Sequence, residues 1–591
     1  MSSGSFTAAL FLSSSNPPAS LIPSQITGNV GVCLSGGGSR AFTAGMGQLQ
    51  ALEALQANGA SLLSQVVALS TVSGGGWIGI PFTYLPSSQG TDATFLGLYT
   101  EPASLSLDII HATPSGIGQQ INSGFSISEI ALTAIHLATA EGVPWNMVWQ
   151  TIMGLTFLQP YDLFSPGTDD APTDLFSYNT ASLTQYVTGP NPSLDSTMTD
   201  LVAQPTGQRR PYLISLCGLS VSVNGVHGLL APVQSTPIAT GVLSTPPGAT
   251  DINQRPVGSG GVASFAFNST PTASSSGTVT VQQSRQWSLT DILGTSSAAF
   301  AQDIINKFNE WKLNPVQFQA ELRVHSPAVL SKLTKAGMVH NPAGLLSAPG
   351  GPATIATLPS AVQDIIPVYD YWSPLNPPIG QTLNPNQFTD GGSLENTGVA
   401  SMLSYSNVTR IVAFINTEHP LAQATGGPVQ VDGSLPPLFG YQPYSNGAYT
   451  PYGNGEPIGK GFAPFQFNQV FPSDAFADLQ QGLWSASGSG QHSAAAIYTQ
   501  QLTTVANPWF GVPGGQSVTV VWVYLNYDTA WYDAITDPFV RVAVDFDVAT
   551  HHFPSYSTLK TDLSATQVNL LSNFASWIVQ SNAATFIALF S

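Results

Sequence analysis

Two short stretches carry residue types that could do chemistry. The first, Leu69 to Ile80, reads L-S-T-V-S-G-G-G-W-I-G-I. Ser73 follows the apolar run Val66-Val67-Ala68-Leu69 and precedes three glycines, the pattern of a strand, a sharp turn and a helix start. A serine at such an elbow is held out of its sheet, with the hydroxyl exposed and the next backbone N–H aimed near it. Glycines at 74–76 permit strained dihedrals and let a substrate approach the main chain. The second stretch, Phe388 to Asn396, reads F-T-D-G-G-S-L-E-N and sets Asp390 before two glycines, open to close contact. Taken singly, each stretch also reads as an ordinary Ser/Gly or Asp/Gly turn.

A third stretch, Ser35 to Ala41, reads S-G-G-G-S-R-A and joins an apolar run to a helical pattern. Backbone N–H groups of Gly37 and Gly38, near a helix N-terminus, suit the oxyanion of an acyl-transfer intermediate. They also suit a phosphate, as in nucleotide-binding loops. The G-x-G-x-x-G spacing is absent and no Gly-Lys-Ser/Thr follows, so the serine elbow about 35 residues later favours the oxyanion.

These turns need elements to hold them. Val30–Leu34 reads as a buried strand, and Ala41 to Ala57 as a helix with Met46, Leu49, Leu52 and Leu55 on one face, stopped by Asn58-Gly59. A second strand leads to Ser73. Strand, Gly-rich turn, helix, strand, nucleophile turn and helix open a mostly parallel sheet with helices on its faces. Residues 1–27, rich in Ser and Pro, read as an extended arm ahead of one large domain at 28–591. From 90 to 205, helical patches such as Ile127–Ala140 and Trp145–Leu158 alternate with loops. That segment reads either as ordinary core or as a lid and acyl-binding wall. Further strands are expected at Pro211–Val223, Ala263–Phe267, Val408–Ile415, Ser517–Tyr524 and Phe539–Phe546. A helix should run from Trp287–Phe300 to about Lys312 and another from Thr566 to about Gln580, with residues 341–387 rich in loops.

The totals exclude several functions. Of 591 residues 43% are hydrophobic and only 8% charged, far below the roughly 25% of an average soluble protein. The net charge is −18 with 14 basic residues, so nucleic acid is not an expected partner. Long-range attraction to an anionic membrane is equally unexpected; contact with a lipid surface would be apolar and local. Cys33 and Cys217 sit in apolar runs and read as buried thiols, with a single disulfide as the alternative. No metal-ligand spacing appears, and no cofactor is implied. Without a leader or an 18-residue apolar run, the cytoplasm is the default location, with a peripheral membrane or an unconventional export route as alternatives.

The stretches 35–41, 71–77 (T-V-S-G-G-G-W), 265–271 (F-A-F-N-S-T-P), 293–300 (L-G-T-S-S-A-A-F) and 389–396 (T-D-G-G-S-L-E-N) stand in the order of one family's motifs. Over residues 30 to 420 the chain resembles fungal phospholipase B and the catalytic domain of cytosolic phospholipase A(2), distant relatives of patatin. The resemblance implies a patatin-like, three-layer α/β fold with a mostly parallel central sheet and a helical, lid-like insertion. It implies a Ser–Asp dyad with Ser73 as nucleophile and Asp390 as base. Gly37 and Gly38, with Gly36 beside them, would form the oxyanion hole, and Arg40 would meet the phospholipid head group, with a structural ion-pair partner as the equal alternative. A carboxylate suffices as base where burial raises its pKa toward neutrality. The chain departs from the family at Thr71, where glycine is usual, so the elbow should be looser or the neighbouring strand set back.

The expected function is hydrolysis of fatty-acyl esters of glycerophospholipids or lysophospholipids through an acyl-serine, with transient contact at a lipid interface. Hydrolysis or acyl transfer on another hydrophobic ester is a second reading, since fold and dyad do not fix a substrate. A catalytically weak lipid-binding protein on the same scaffold is a third. Within the enzymatic readings there is a rival base. His419 lies 29 residues after Asp390, and Ser73…Asp390…His419 is the chain order of an α/β-hydrolase triad. The dyad is the expected arrangement, with Asp390 on Ser73 directly.

Overall fold

The five runs with least polar interruption form the centre of the sheet. They are β1 (Val30–Leu34), β2 (Ala68–Val72), β3 (Tyr212–Val223), β4 (Arg410–Ile415) and β5 (Ser517–Tyr524). They pair in parallel in the order β3-β2-β1-β4-β5. Every residue of β1 and β2 is buried, so both faces of the sheet are covered, which is what a parallel core requires. The computed structural model describes residues 4–122, 126–165, 174–195, 199–204, 209–337, 361–453 and 463–591. The result is a mixed α/β fold with a parallel centre and antiparallel flanks. Antiparallel strands Val226–Ser235, Ala239–Gly241 and Gly260–Ala263 extend the sheet beyond β3, and Ile497–Thr503 lies outside β5.

One feature of the pairing brings the two chemical stretches together. Along one edge of β3, residues 212–216 pair with β2 in parallel, up to Val72↔Leu216. Along its next residues, Cys217 to Leu219, β3 pairs antiparallel with the strand Asn386–Asp390, where Asp390↔Cys217. The other edge of β3 is taken by Val226–Ser235. Two strands running in opposite directions therefore abut end to end, and their C-terminal ends carry Ser73 and Asp390 into contact. The C-terminal ends of β1 and β4 lie beside them, with Leu34↔Phe414 and Leu34↔Thr71 in register. Ligands of open α/β sheets bind at such carboxyl ends.

Helix α1 (Gly38–Ala54) follows β1 and buries Phe42, Met46, Leu49 and Leu52, packing against the helix Ala565–Ser581. Helix α2 (Gly74–Tyr84) follows β2 and is buried along its whole length. In the 90–205 region, Ile127–Thr139 and Trp145–Met153 are helical as expected, and Ile127–Thr139 packs on helices Ala299–Leu313 and Pro315–Lys335. Both cysteines are free and buried. No helix of the described residues is long and apolar enough to cross a membrane.

Several elements differ from expectation. Gly4–Leu12 is extended but is built into the sheet, paired with Gly260–Ala263 and Thr278–Gln283. Helix α1 starts and ends three residues early, because Asn58-Gly59, both at positive φ, turn a small hairpin between Gln56–Ala57 and Ala60–Ser61. After Ala263 the chain leaves its strand for a 3-10 turn at Ser264–Ala266. Phe539–Phe546 is not a strand; it lies in the helix Pro538–His551, where Asp537 caps the N-terminus and Pro538 opens it. Of the loop-rich stretch 341–387, residues 341–360 lie outside the described residues.

Candidate active site

Ser73 ends β2 with φ +50° and ψ −122°, a backbone conformation that a non-glycine residue holds only when its surroundings impose it. Its N–H donates to Ser296 Oγ at 3.1 Å, and the Ser296 hydroxyl in turn donates to the Leu216 carbonyl at 2.7 Å. The strained elbow is thereby tied to β3. Gly74 and Gly75 are required by close approach: a Cβ on Gly74 would stand 2.6 Å from the Gly38 nitrogen and one on Gly75 2.8 Å from the Ser35 carbonyl oxygen, both inside contact distance. The nucleophile turn and the Gly36–Gly38 turn are thus seated backbone to backbone.

The Ser73 hydroxyl donates to Asp390 Oδ2 at 3.0 Å. Asp390 is held by two further donors, Gly392 N–H on Oδ1 at 2.7 Å and Ala299 N–H on Oδ2 at 3.3 Å. Ser73 is 5% and Asp390 3% exposed. Burial pushes the Asp390 carboxyl up to about 6 and outweighs the lowering effect of its hydrogen bonds from Gly392, Ser73 and Ala299. The pair is therefore a serine directly on a carboxylate that takes up a proton near neutrality. The His419 side chain, by contrast, is 66% exposed, with the Glu418 carboxylate 3.9 Å away. With Ser73 already on Asp390, no imidazole stands between them.

The three glycines of the oxyanion turn are not equivalent. Gly36 N–H donates to the Asn396 carbonyl at 3.0 Å and is spent. Gly37, at φ +138°, and Gly38, at φ +57°, sit at the start of α1. Their N–H groups have no acceptor among the described residues, as first-turn helical donors do not.

Arg40 is buried, and all three nitrogens of its guanidinium donate within the chain. Nε donates to the Asn416 carbonyl at 2.9 Å, Nη1 to the Tyr556 carbonyl and to Glu418 Oε2 at 3.4 Å, and Nη2 to Thr558 Oγ1 at 3.0 Å. Burial lowers its pKa to about 10, against the raising effect of Glu418. In this geometry Arg40 staples α1 to the loop after β4 and to the 556–558 segment. Sequence reading allows a structural role as the alternative to the head group but cannot name the partners, because all four lie more than 370 residues away.

Thr71 does not loosen the elbow. Its methyl occupies the space that a side chain at Gly79, one α2 turn past Gly75, would need, and a Cβ there would collide with it. The small residue that lets β2 and α2 approach here is Gly79, on the helix. Thr71 Oγ1 is left buried with no partner among the described residues.

Sequence reasoning gave no role to Ser296, Phe300, Trp77 or Asn396, although each falls within a stretch it quoted. Phe300 Cζ would lie 2.9 Å from a Cβ on Gly38, and its ring is 5.2 Å from Trp77, which stacks on Phe157 at 5.1 Å. Trp77, Ile130, Trp149, Ile152, Met153 and Phe157, with Gln120 and Thr156, line a small, mostly apolar cavity of about 20 Å³. A continuous aromatic path therefore links the glycine turn to an apolar cavity walled by residues of the 90–205 region.

No family model matches the chain, and no curated protein matches it in sequence. Among solved structures, it is similar to human GIVD cytosolic phospholipase A2, with a TM-score of 0.46 and 13% identity over 96% of this chain and 60% of that one. It is also similar to that enzyme in complex with methyl γ-linolenyl fluorophosphonate, with a TM-score of 0.40 and 12% identity over 96% and 59%. The chain spans about 60% of the length of the solved structures it matches. At these scores the likeness carries nothing about the chemistry, which rests on the residues described above.

Proposed function

We propose that the chain is a serine acyl hydrolase that cleaves fatty-acyl esters of glycerophospholipids or lysophospholipids through an acyl-Ser73 intermediate. The observation that carries this reading is the direct bond from Ser73 Oγ to Asp390 Oδ2 at 3.0 Å. As Ser73 Oγ attacks the ester carbonyl carbon, its proton passes to Asp390, whose raised pKa makes it basic enough to accept. Negative charge grows on the carbonyl oxygen, where the free N–H groups of Gly37 and Gly38 can meet it. The protonated Asp390 then gives its proton to the departing alkoxide. Water, deprotonated by Asp390, releases the fatty acid and restores the serine.

The substrate class is supported by the lining beside the site. The small cavity among Trp77, Trp149, Ile152 and Phe157 is mostly apolar, with Gln120, Thr156 and Thr561 at its wall, and an acyl chain entering there would part these side chains. The 90–205 insertion supplies most of that wall. Arg40, on this reading, belongs to the framework that fixes the glycine turn rather than to head-group binding. Ser73→Ala should abolish hydrolysis of a short-chain p-nitrophenyl ester and of defined phospholipids while leaving the fold intact, and His419→Ala should stay close to wild type. Turnover by a folded Ser73→Ala protein, or a thousand-fold loss in His419→Ala, would overturn the dyad.

A further inference from the structure

The Gly36–Gly38 turn and the Asp390–Gly392 turn meet on one side chain, that of Asn396. Its backbone carbonyl accepts from Gly36 N–H. Its carboxamide oxygen lies against both turns: a Cβ on Gly36 would collide with it, and one on Gly392 would stand 2.6 Å from it. The same two points lie 3.0 Å from Ser73 Cβ and 3.1 Å from Asp390 Oδ1. Asn396 is thus packed between nucleophile, base and oxyanion turn at once. It is only half-buried, and its carboxamide forms no hydrogen bond with the described residues. A carboxamide carries two N–H donors; Nδ2 is uncommitted among the described residues, and a half-turn of the amide about its last bond brings it to the place the oxygen holds.

Resting on the acyl-hydrolase reading, we propose that Asn396 is a further catalytic residue, whose Nδ2 donates a hydrogen bond to the ester carbonyl oxygen as Ser73 attacks. The Gly36 amide cannot serve there, since it is bonded to the carbonyl of Asn396 itself. Asn396 therefore replaces a main-chain donor with a side-chain one, beside those of Gly37 and Gly38. The interaction strengthens as charge develops on that oxygen, so its loss falls on kcat rather than on KM.

The test uses the full chain with a p-nitrophenyl ester, thermal unfolding as the check on the fold, and Ser73→Ala as the reference. Asn396→Ala, which removes no hydrogen bond of the described structure, should unfold like wild type and lose kcat on the order of 10²-fold with KM little changed. Asn396→Asp keeps the shape but sets a second carboxylate near Asp390. It should lose at least as much kcat and raise the acid limb of the activity profile by about one pH unit or more. A structural role alone would move thermal stability and leave that limb in place. If Ser73→Ala is inactive while Asn396→Ala stays within about threefold of wild-type kcat, well short of one lost oxyanion donor, the proposal is overturned and the hydrolase reading stands. If Ser73→Ala turns over like wild type, that reading fails and the proposal falls with it.

Discussion

Replacing Asp390 with Asn should separate what the carboxylate does for the reaction from what its burial does to the fold. Burial lifts Asp390 from an ordinary 3.8 to about 6. At about 1.4 kcal/mol for each tenfold change, that gap sets roughly 3 kcal/mol against the folded state once the group is ionised. The sign follows from proton occupancy. Below pH 3.8 folded and unfolded chains both hold the proton, and there is no penalty. Between 3.8 and 6 the unfolded chain ionises first, so the penalty grows with pH, and above 6 it is constant. Asparagine carries no charge; with its one oxygen accepting from Gly392 N–H, its Nδ2 takes the place of Oδ2, donates to Ser73 Oγ and gives up the bond from Ala299 N–H. Asp390→Asn should therefore be more stable than wild type at pH 8, by up to about 3 kcal/mol, and the difference should close on acidification toward pH 4. The same variant should lose turnover on the order of 10³-fold. Wild-type kcat/KM should be half its plateau near pH 6 and about a tenth of it one pH unit lower. Denaturant unfolding at three pH values, paired with p-nitrophenyl ester hydrolysis, reads all of this. A variant less stable than wild type at pH 8, or a wild-type acid limb near pH 4, would refute the argument that burial tunes this carboxylate.

Arg40→Ala should lower turnover of a phospholipid and of a neutral ester equally and lower the thermal midpoint, because the guanidinium binds Asn416, Tyr556 and Thr558. A loss confined to the phospholipid would restore it to head-group recognition. Gly79→Ala should destabilise by about 1–3 kcal/mol through overpacking against Thr71, and adding Thr71→Ala should recover most of that. Independent, additive effects of the two changes in a double-mutant cycle would show that they do not share the space.

Much of the site was legible because its signals are local. A serine between an apolar run and three glycines dictates an elbow, and Asp390 stands at a strand end beside glycines that admit close neighbours. What was not legible depended on distant partners. Arg40 reads equally as a head-group cation or a structural ion-pair partner until Tyr556 and Thr558 arrive from more than 500 residues away. Thr71 reads as a misfit until Gly79 is seen to vacate the space. In the fold, the apolar alternation of 539–546 suggested a strand, but Val540 and Val544 share one buried helical face and Asp537-Pro538 is a helix start. Asn58-Gly59 was read as a helix stop, although that dipeptide is equally the turn of a two-residue hairpin.

The order of strands has a consequence for how the protein comes into being. The middle strand of the parallel set, β1, is synthesised some 380 residues ahead of its β4 neighbour. The staple on the glycine turn spans 518 residues, from Arg40 to Thr558. Contacts this remote in sequence make folding slow, because long loops must close before any of them contributes. During translation the hydrophobic edge of β1 stands without its final neighbour, a state prone to aggregation and suited to chaperone capture. No fragment ending before Thr558 can assemble the complete staple. Expression of shortened versions should therefore yield insoluble or inactive material even when every residue of the catalytic pair is present.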